Sequence, residues 1–232
     1  KLAAMRRARV SLLVCCVMSA GVAGAVAPPA LALTDEIAYG CDLDICLVQP
    51  DVPGGVTNLT DNGPASIATH PAWSPDGTRV AFVSTFGGGV QNVFVMQPDA
   101  PGDGVNIATQ LTHYTVNSVV LGLAWSRDGT KVAYERNSGV SVVAADGTTV
   151  TPLVITPLGV HPTWSADSTK IAFSKGEQVF LAPADGGGAP APLENGAGHA
   201  PQWSPDGAKI AFDKINATDP FVSDGTLDPD GD

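Results

Sequence analysis

Trp73-Ser-Pro-Asp-Gly-Thr-Arg-Val-Ala-Phe82 decides the fold, because the chain repeats it three more times. The copies read Trp125-Ser-Arg-Asp-Gly-Thr-Lys-Val-Ala-Tyr134, Trp164-Ser-Ala-Asp-Ser-Thr-Lys-Ile-Ala-Phe173 and Trp203-Ser-Pro-Asp-Gly-Ala-Lys-Ile-Ala-Phe212. Every tryptophan of the protein heads one copy, and the intervals between them are 52, 39 and 39 residues. A period near 40 residues built on strand, turn and strand is the signature of a β-propeller blade. In each copy the tryptophan ends a first strand. Ser-Pro-Asp-Gly then makes a turn, with proline presetting φ and glycine taking a positive φ. The apolar residues that follow alternate across a second strand, placing Val80 and Phe82 on one face. Trp73, Asp76, Gly77, Trp125, Asp128, Gly129, Trp164, Asp167, Trp203, Asp206 and Gly207 are therefore read as structural residues of the repeat.

Outside the first 32 residues the sequence has no helix-period apolar stretch, only short alternating runs between Gly, Pro, Asp and Asn. That pattern predicts an all-β chain of four-stranded antiparallel blades. After Trp73 come strands over residues 79–83, 91–96 and 106–112. Corresponding strands are expected over 131–134, 140–144 and 149–155, and over 170–173, 178–182 and 189–193. A first module without the tryptophan phrase matches the later strands at 36–39, 44–48 and 56–60. The last has strands at 200–203 and 209–213 and then degenerates. The blades fall near residues 35–60, 61–112, 113–155, 156–195 and 196–215 of a propeller spanning 33–215, before an acidic segment at 216–232. Three full and two partial blades make four or five here, as a small ring or as part of a six- or seven-bladed one. Arg127, Ala166 and Ser168 replace turn proline or glycine, so those turns should be less pre-organised.

Residues 1–32 read as an export signal. Arg6, Arg7 and Arg9 precede an uncharged apolar run over 10–27, and Ala30-Leu-Ala32 is a cleavage signal of the A-x-A type. An uncleaved membrane anchor is the alternative, since 18 apolar residues reach the lower limit for spanning. Removing this segment takes four cations and no acid, moving the net charge from −11 to −15. So acidic a surface argues against nucleic acid and anionic membrane as partners. Cys41 and Cys46 then remain as an even pair, which in an oxidising compartment reads as a disulfide; reduced thiols and a metal site are the rivals.

Two constellations carry ligand chemistry. His70, His161 and His199 each come three or four residues before a repeat tryptophan. Equivalent positions of a ring converge on one channel mouth, where imidazoles could take a divalent metal or an anionic ligand end. Solvated turn residues are the plainer reading. Asp228, Asp230 and Asp232 stand at the spacing that opens an oxygen-ligand Ca²⁺ loop, with a solvated acidic linker as the alternative. No other cofactor is expected, and no catalytic residue is assigned.

The Trp-Ser-Pro-Asp-Gly phrase, its Ile-Ala-Phe strand, the later Val-Phe-Val-Met-Gln-Pro-Asp stretch and a closing Leu-Thr resemble the WD40-like propeller repeat of TolB-type proteins. The resemblance covers residues 36–212. It implies a periplasmic or secreted propeller that binds partner proteins, although the α/β domain that precedes the propeller in TolB has no room between Ala32 and Glu36. Similar blades form the gating propeller of prolyl-oligopeptidase-type serine peptidases. That reading requires a Gly-x-Ser-x-Gly elbow, which does not occur in the sequence.

Overall fold

The computed structural model describes residues 5–6, 36–61, 66–98, 108–116, 118–148, 152–214 and 225–227. Among them every regular element is a strand, and neighbouring strands pair antiparallel. Module 1 comprises β1 (Met5–Arg6), β2 (Ile37–Cys41), β3 (Asp44–Val48) and β4 (Val56–Asn58). Module 2 comprises β5 (Ala68–Trp73), β6 (Val80–Ser84), β7 (Asn92–Met96) and β8 (Thr109–Gln110). Module 3 comprises β9 (Val120–Trp125), β10 (Lys131–Arg136), β11 (Gly139–Ala144) and β12 (Leu153–Thr156). Module 4 comprises β13 (Val160–Trp164), β14 (Lys170–Lys175), β15 (Gln178–Pro183) and the first half of β16 (Ala191–Trp203). The second half of β16 opens module 5, which continues with β17 (Ile210–Lys214) and β18 (Gly225–Leu227). The architecture is a β-propeller of four-stranded antiparallel blades, as the repeat predicts.

The core is not one mass but four layers, each between successive modules. Alternation along a strand produces this: Val132 and Tyr134 of β10 pack towards module 2, while Ala133 between them packs towards module 4. Val80 and Phe82 likewise face module 1, and Ala81 and Val83 face module 3. Central strands therefore have two buried faces and read as continuous apolar runs; β6 and β7 are buried at every position. Stacked rings at Phe82–Phe94 and Phe173–Phe180, with centroids 5.6 and 6.0 Å apart, tie second strands to third strands.

Three features depart from the sequence reading. The outer strand of module 4 and the inner strand of module 5 are one continuous 13-residue strand, β16. Gly225-Thr-Leu227, assigned above to the acidic segment, pairs with Phe212, Ala211 and Ile210 as a third strand of module 5. Met5 and Arg6 pair with Ala38 and Ile37, filling the inner-strand place that module 1 otherwise lacks. The rest of the leader lies outside the described residues, as do the loop at 99–107 and residues 149–151, so the outer strands β8 and β12 are traced over shorter spans than expected.

Cys41 and Cys46 form a disulfide across the β2–β3 hairpin, with Cα atoms 5.8 Å apart. The turn residue Asp42 takes a φ of 51°. Closing so short a loop is worth about 2 kcal/mol on the chain-entropy estimate. Asp44 lies just inside the loop; its carboxylate accepts from Thr60 Oγ1 and from Asn58 Nδ2, joining β4 to the same hairpin.

Candidate functional site

The repeat phrase folds into the same serine–aspartate turn four times, with Ala208 leaving the fourth copy without the threonine hydroxyl. Ser74 N donates to Arg79 O, Arg79 N donates to Ser74 Oγ, and Ser74 Oγ donates to Asp76 Oδ1 at 2.6 Å. The same Oδ1 accepts from the backbone N and the Oγ1 of Thr78. Asp128, Asp167 and Asp206 repeat the arrangement with Ser126, Ser165 and Ser204. At Asp167 the Ser165 hydroxyl, then the Thr169 amide and hydroxyl, hold the carboxyl down at about 2. At Asp76 partial burial alone would raise the pKa, and the bonds from Ser74 and Thr78 outweigh it. These aspartates are turn clasps, each accepting from a serine hydroxyl and a backbone N–H of its own turn.

Ser168 occupies the glycine place at φ 60°, close to Gly77 at 66° and Gly129 at 70°. Its hydroxyl accepts from Asp128 N at 3.1 Å, so this departure from the phrase links two neighbouring turns instead of loosening one.

Each indole reaches towards the preceding module. Trp125 Nε1 donates to Ala72 O at 2.9 Å, and Trp164 Nε1 donates to Ala124 O at 3.0 Å. The acceptors are the residues just before the previous tryptophan. Ala72, Ala124, Thr163 and Gln202 hold that place in modules 2 to 5, and all four line one cavity of about 300 Å³. Four equivalent positions can meet only at the axis, so this cavity is the channel mouth at the tryptophan end. Trp73, Trp125 and Trp164 wall it together with Pro75 and Pro162, and Arg127 and Gln202 are its exposed polar groups. Sequence reasoning missed Arg127 and Gln202 as site residues. The available signal was variation in otherwise constant places: arginine for the turn proline, and Ala, Ala, Thr, Gln before the four tryptophans.

The three histidines do not gather as equivalents. Each inner strand carries a bulge at the position three residues before its tryptophan, where registers shift between Thr69 and Ala72, Val160 and Thr163, and His199 and Gln202. His70, Gly122, His161 and Ala200 fill that position with φ between 49° and 55°. Glycine is the natural occupant of such a bulge, and histidine is among the residues that tolerate it. His199 sits one residue earlier, paired with Asp213, and so belongs to a different place in the strand. None of the three lines the mouth cavity, and no three His, Cys, Asp or Glu among the described residues are placed to hold a metal ion. His70 Nδ1 lies 2.9 Å from Thr69 Oγ1, and partial desolvation lowers its pKa below the ordinary histidine value. Asp228, Asp230 and Asp232 lie outside the described residues.

No family model matches the sequence, and the search of curated proteins found no match. Solved structures do match. The protein described as TolB from Agrobacterium tumefaciens is 19% identical, with a TM-score of 0.61 over 84% of this chain and 74% of that one. A puromycin-hydrolyzing peptidase of Mycobacterium tuberculosis is 17% identical, with a TM-score of 0.60 over 80% of this chain but only 33% of its own. An oligogalacturonate lyase in complex with manganese is 15% identical, with a TM-score of 0.57 over 85% and 60%. At these identities the likeness is one of fold, and it is to TolB-like β-propellers that the chain is similar.

Proposed function

We propose that this protein is an exported, non-catalytic propeller that binds a partner protein at the tryptophan-end channel mouth. The observation that carries the reading is the lining of that mouth: indoles, prolines, aliphatic groups, one guanidinium, one amide and one threonine hydroxyl. Such groups suit an extended, partly apolar peptide segment, since tryptophan and arginine supply most binding energy at protein interfaces. They are poorly suited to acid–base or covalent chemistry near neutral pH. The acidic chain disfavours nucleic acid and anionic membranes, and the Cys41–Cys46 disulfide supports a secreted or periplasmic location. The reading requires no cofactor.

Selection of peptides from a random library on the intact protein tests it. The selected peptides should lose at least tenfold in affinity for Gln202→Trp, which fills the mouth, and should keep it for Val56→Ser on an exposed outer strand. Equal affinity for all three proteins overturns the assignment.

A second reading rests on the peptidase likeness, in which this chain corresponds to a third of the other protein. Under it the propeller gates a hydrolase domain encoded in the same reading frame. Sequencing the frame through a Gly-x-Ser-x-Gly elbow would establish it, and a stop without one would remove it.

A further inference from the structure

A second cavity, of about 370 Å³, lies on the flank of module 3, away from the axis. Its floor is a hydrogen-bonded pair of tyrosine hydroxyls. The hydroxyl of fully buried Tyr134 lies 2.5 Å from the hydroxyl of Tyr114, and Ser141 lines the cavity beside them. Burial first, and then the Tyr114 contact, raise the Tyr134 pKa well above that of an ordinary phenol, so it stays protonated. Either hydroxyl can donate in this pair, and when Tyr134 donates to Tyr114 the Tyr114 proton is left to point at a ligand.

Tyr114 is itself fixed from below. Buried Asn92 accepts from its backbone N at 2.8 Å and from Thr112 Oγ1 at 2.9 Å. The Arg136 guanidinium lies 3.7 Å above the Tyr114 ring, and its Nε donates to Ser118 Oγ at 2.9 Å. Both Nη groups of Arg136 lack a hydrogen-bond partner among the described residues. Stacking and the Nε bond thus orient the fork end-on. In a chain of net charge −11, this cavity is lined by one cation and no Asp or Glu. Its wall includes Val154, which is 61% exposed, with Pro152 and Pro157.

We propose that this flank cavity binds a carboxylate carrying a short apolar body, the carboxylate on Arg136 and Tyr114 and the body against Val154 and the two prolines. A planar carboxylate matches the two Nη donors of a single arginine. A phosphate dianion would leave charge uncompensated, and the apolar wall would gain nothing from it. A free organic acid and the C-terminal residue of a peptide share this chemistry.

Titration calorimetry on the intact protein with hexanoate, N-acetylvaline, Gly-Gly-Val, its C-terminal amide and inorganic phosphate tests the proposal. The free carboxylates should bind, and the amide and phosphate at least tenfold more weakly. Gly-Gly-Val tighter than N-acetylvaline and hexanoate identifies a peptide terminus, and the reverse order a small acid. Arg136→Gln should reduce binding at least tenfold with the mouth-binding peptides unaffected. Val154→Glu, on an exposed position that leaves the fold intact, should do the same by repulsion. No binding at 10-fold molar excess and millimolar concentration, equal binding of the amide or phosphate, or full binding by Val154→Glu would overturn it.

Discussion

The junction between modules 2 and 3 and that between modules 4 and 5 are built from the same phrase and completed differently. At the first, Trp125 Nε1 bonds Ala72 O. Arg79 lies 4.8 Å over the Trp125 ring and donates to Gly129 O at 2.7 Å and Ala145 O at 3.4 Å. At the second, Trp203 Nε1 is buried with no hydrogen-bond partner among the described residues. Lys170 stands where Arg79 does, and a cavity of about 190 Å³ opens between Lys170, Trp203 and Asp206. The planar fork of Arg79 reaches two carbonyls while stacking on a ring, and Lys170 Nζ makes neither contact among the described residues. The phrase therefore specifies the turn and the strand everywhere, but the indole bond across a seam depends on where the preceding carbonyl falls, since Trp164 makes it to Ala124 O with Lys131 in the place of Arg79.

The difference can be broken from either side. Trp125→Ala removes both the packing and the seam bond and should lower stability by about 3–5 kcal/mol, read from urea unfolding. Arg79→Ala should lower it by about 1–3 kcal/mol, through two carbonyl bonds and a cation–π contact, and Arg79→Lys should recover less than half. Lys170→Arg tests the converse. If the open seam lacks only the fork, this variant should gain up to about 1 kcal/mol, and no gain would place the deficit in the backbone instead.

The turn clasps set a smaller, pH-dependent effect common to both junctions. Asp167 falls from an unfolded value near 3.8 to about 2 on folding. A depressed folded pKa gives stability that is present above the unfolded value and lost as pH falls towards the folded one. Unfolding midpoints should thus decline between about pH 4 and pH 2, and Asp167→Asn should flatten that decline. Because the carboxylate is solvent-exposed, the effect is expected to be slight.

Much of this was legible in the sequence. Four tryptophan phrases fix strands, turns and blade order, since alternation and turn chemistry are local properties. What was not legible depends on register and distance. His70 and His161 share the bulge place, but His199 misses it by one residue, which spacing from the tryptophan alone did not separate. Gly225-Thr-Leu227 is too short and too closely flanked by Asp to read as a strand, and only its pairing with β17 defines it. Arg127 and Gln202 stand out only once Ala72 and Ala124 are seen to share their cavity. Tyr114, Arg136 and Ser141 carry no motif; the fold of module 3 brings them together.

The central claim is that the tryptophan phrase is an inter-blade staple, closed at Trp125 and open at Trp203, with binding left to the residues around it. Trp125→Phe and Trp203→Phe test this most directly, because both remove the same atoms from equally buried rings. Urea unfolding should show Trp125→Phe less stable than Trp203→Phe by about 1–3 kcal/mol, since one loses a bond to Ala72 O and the other an unpaired N–H. Equal losses in the two variants would contradict the account.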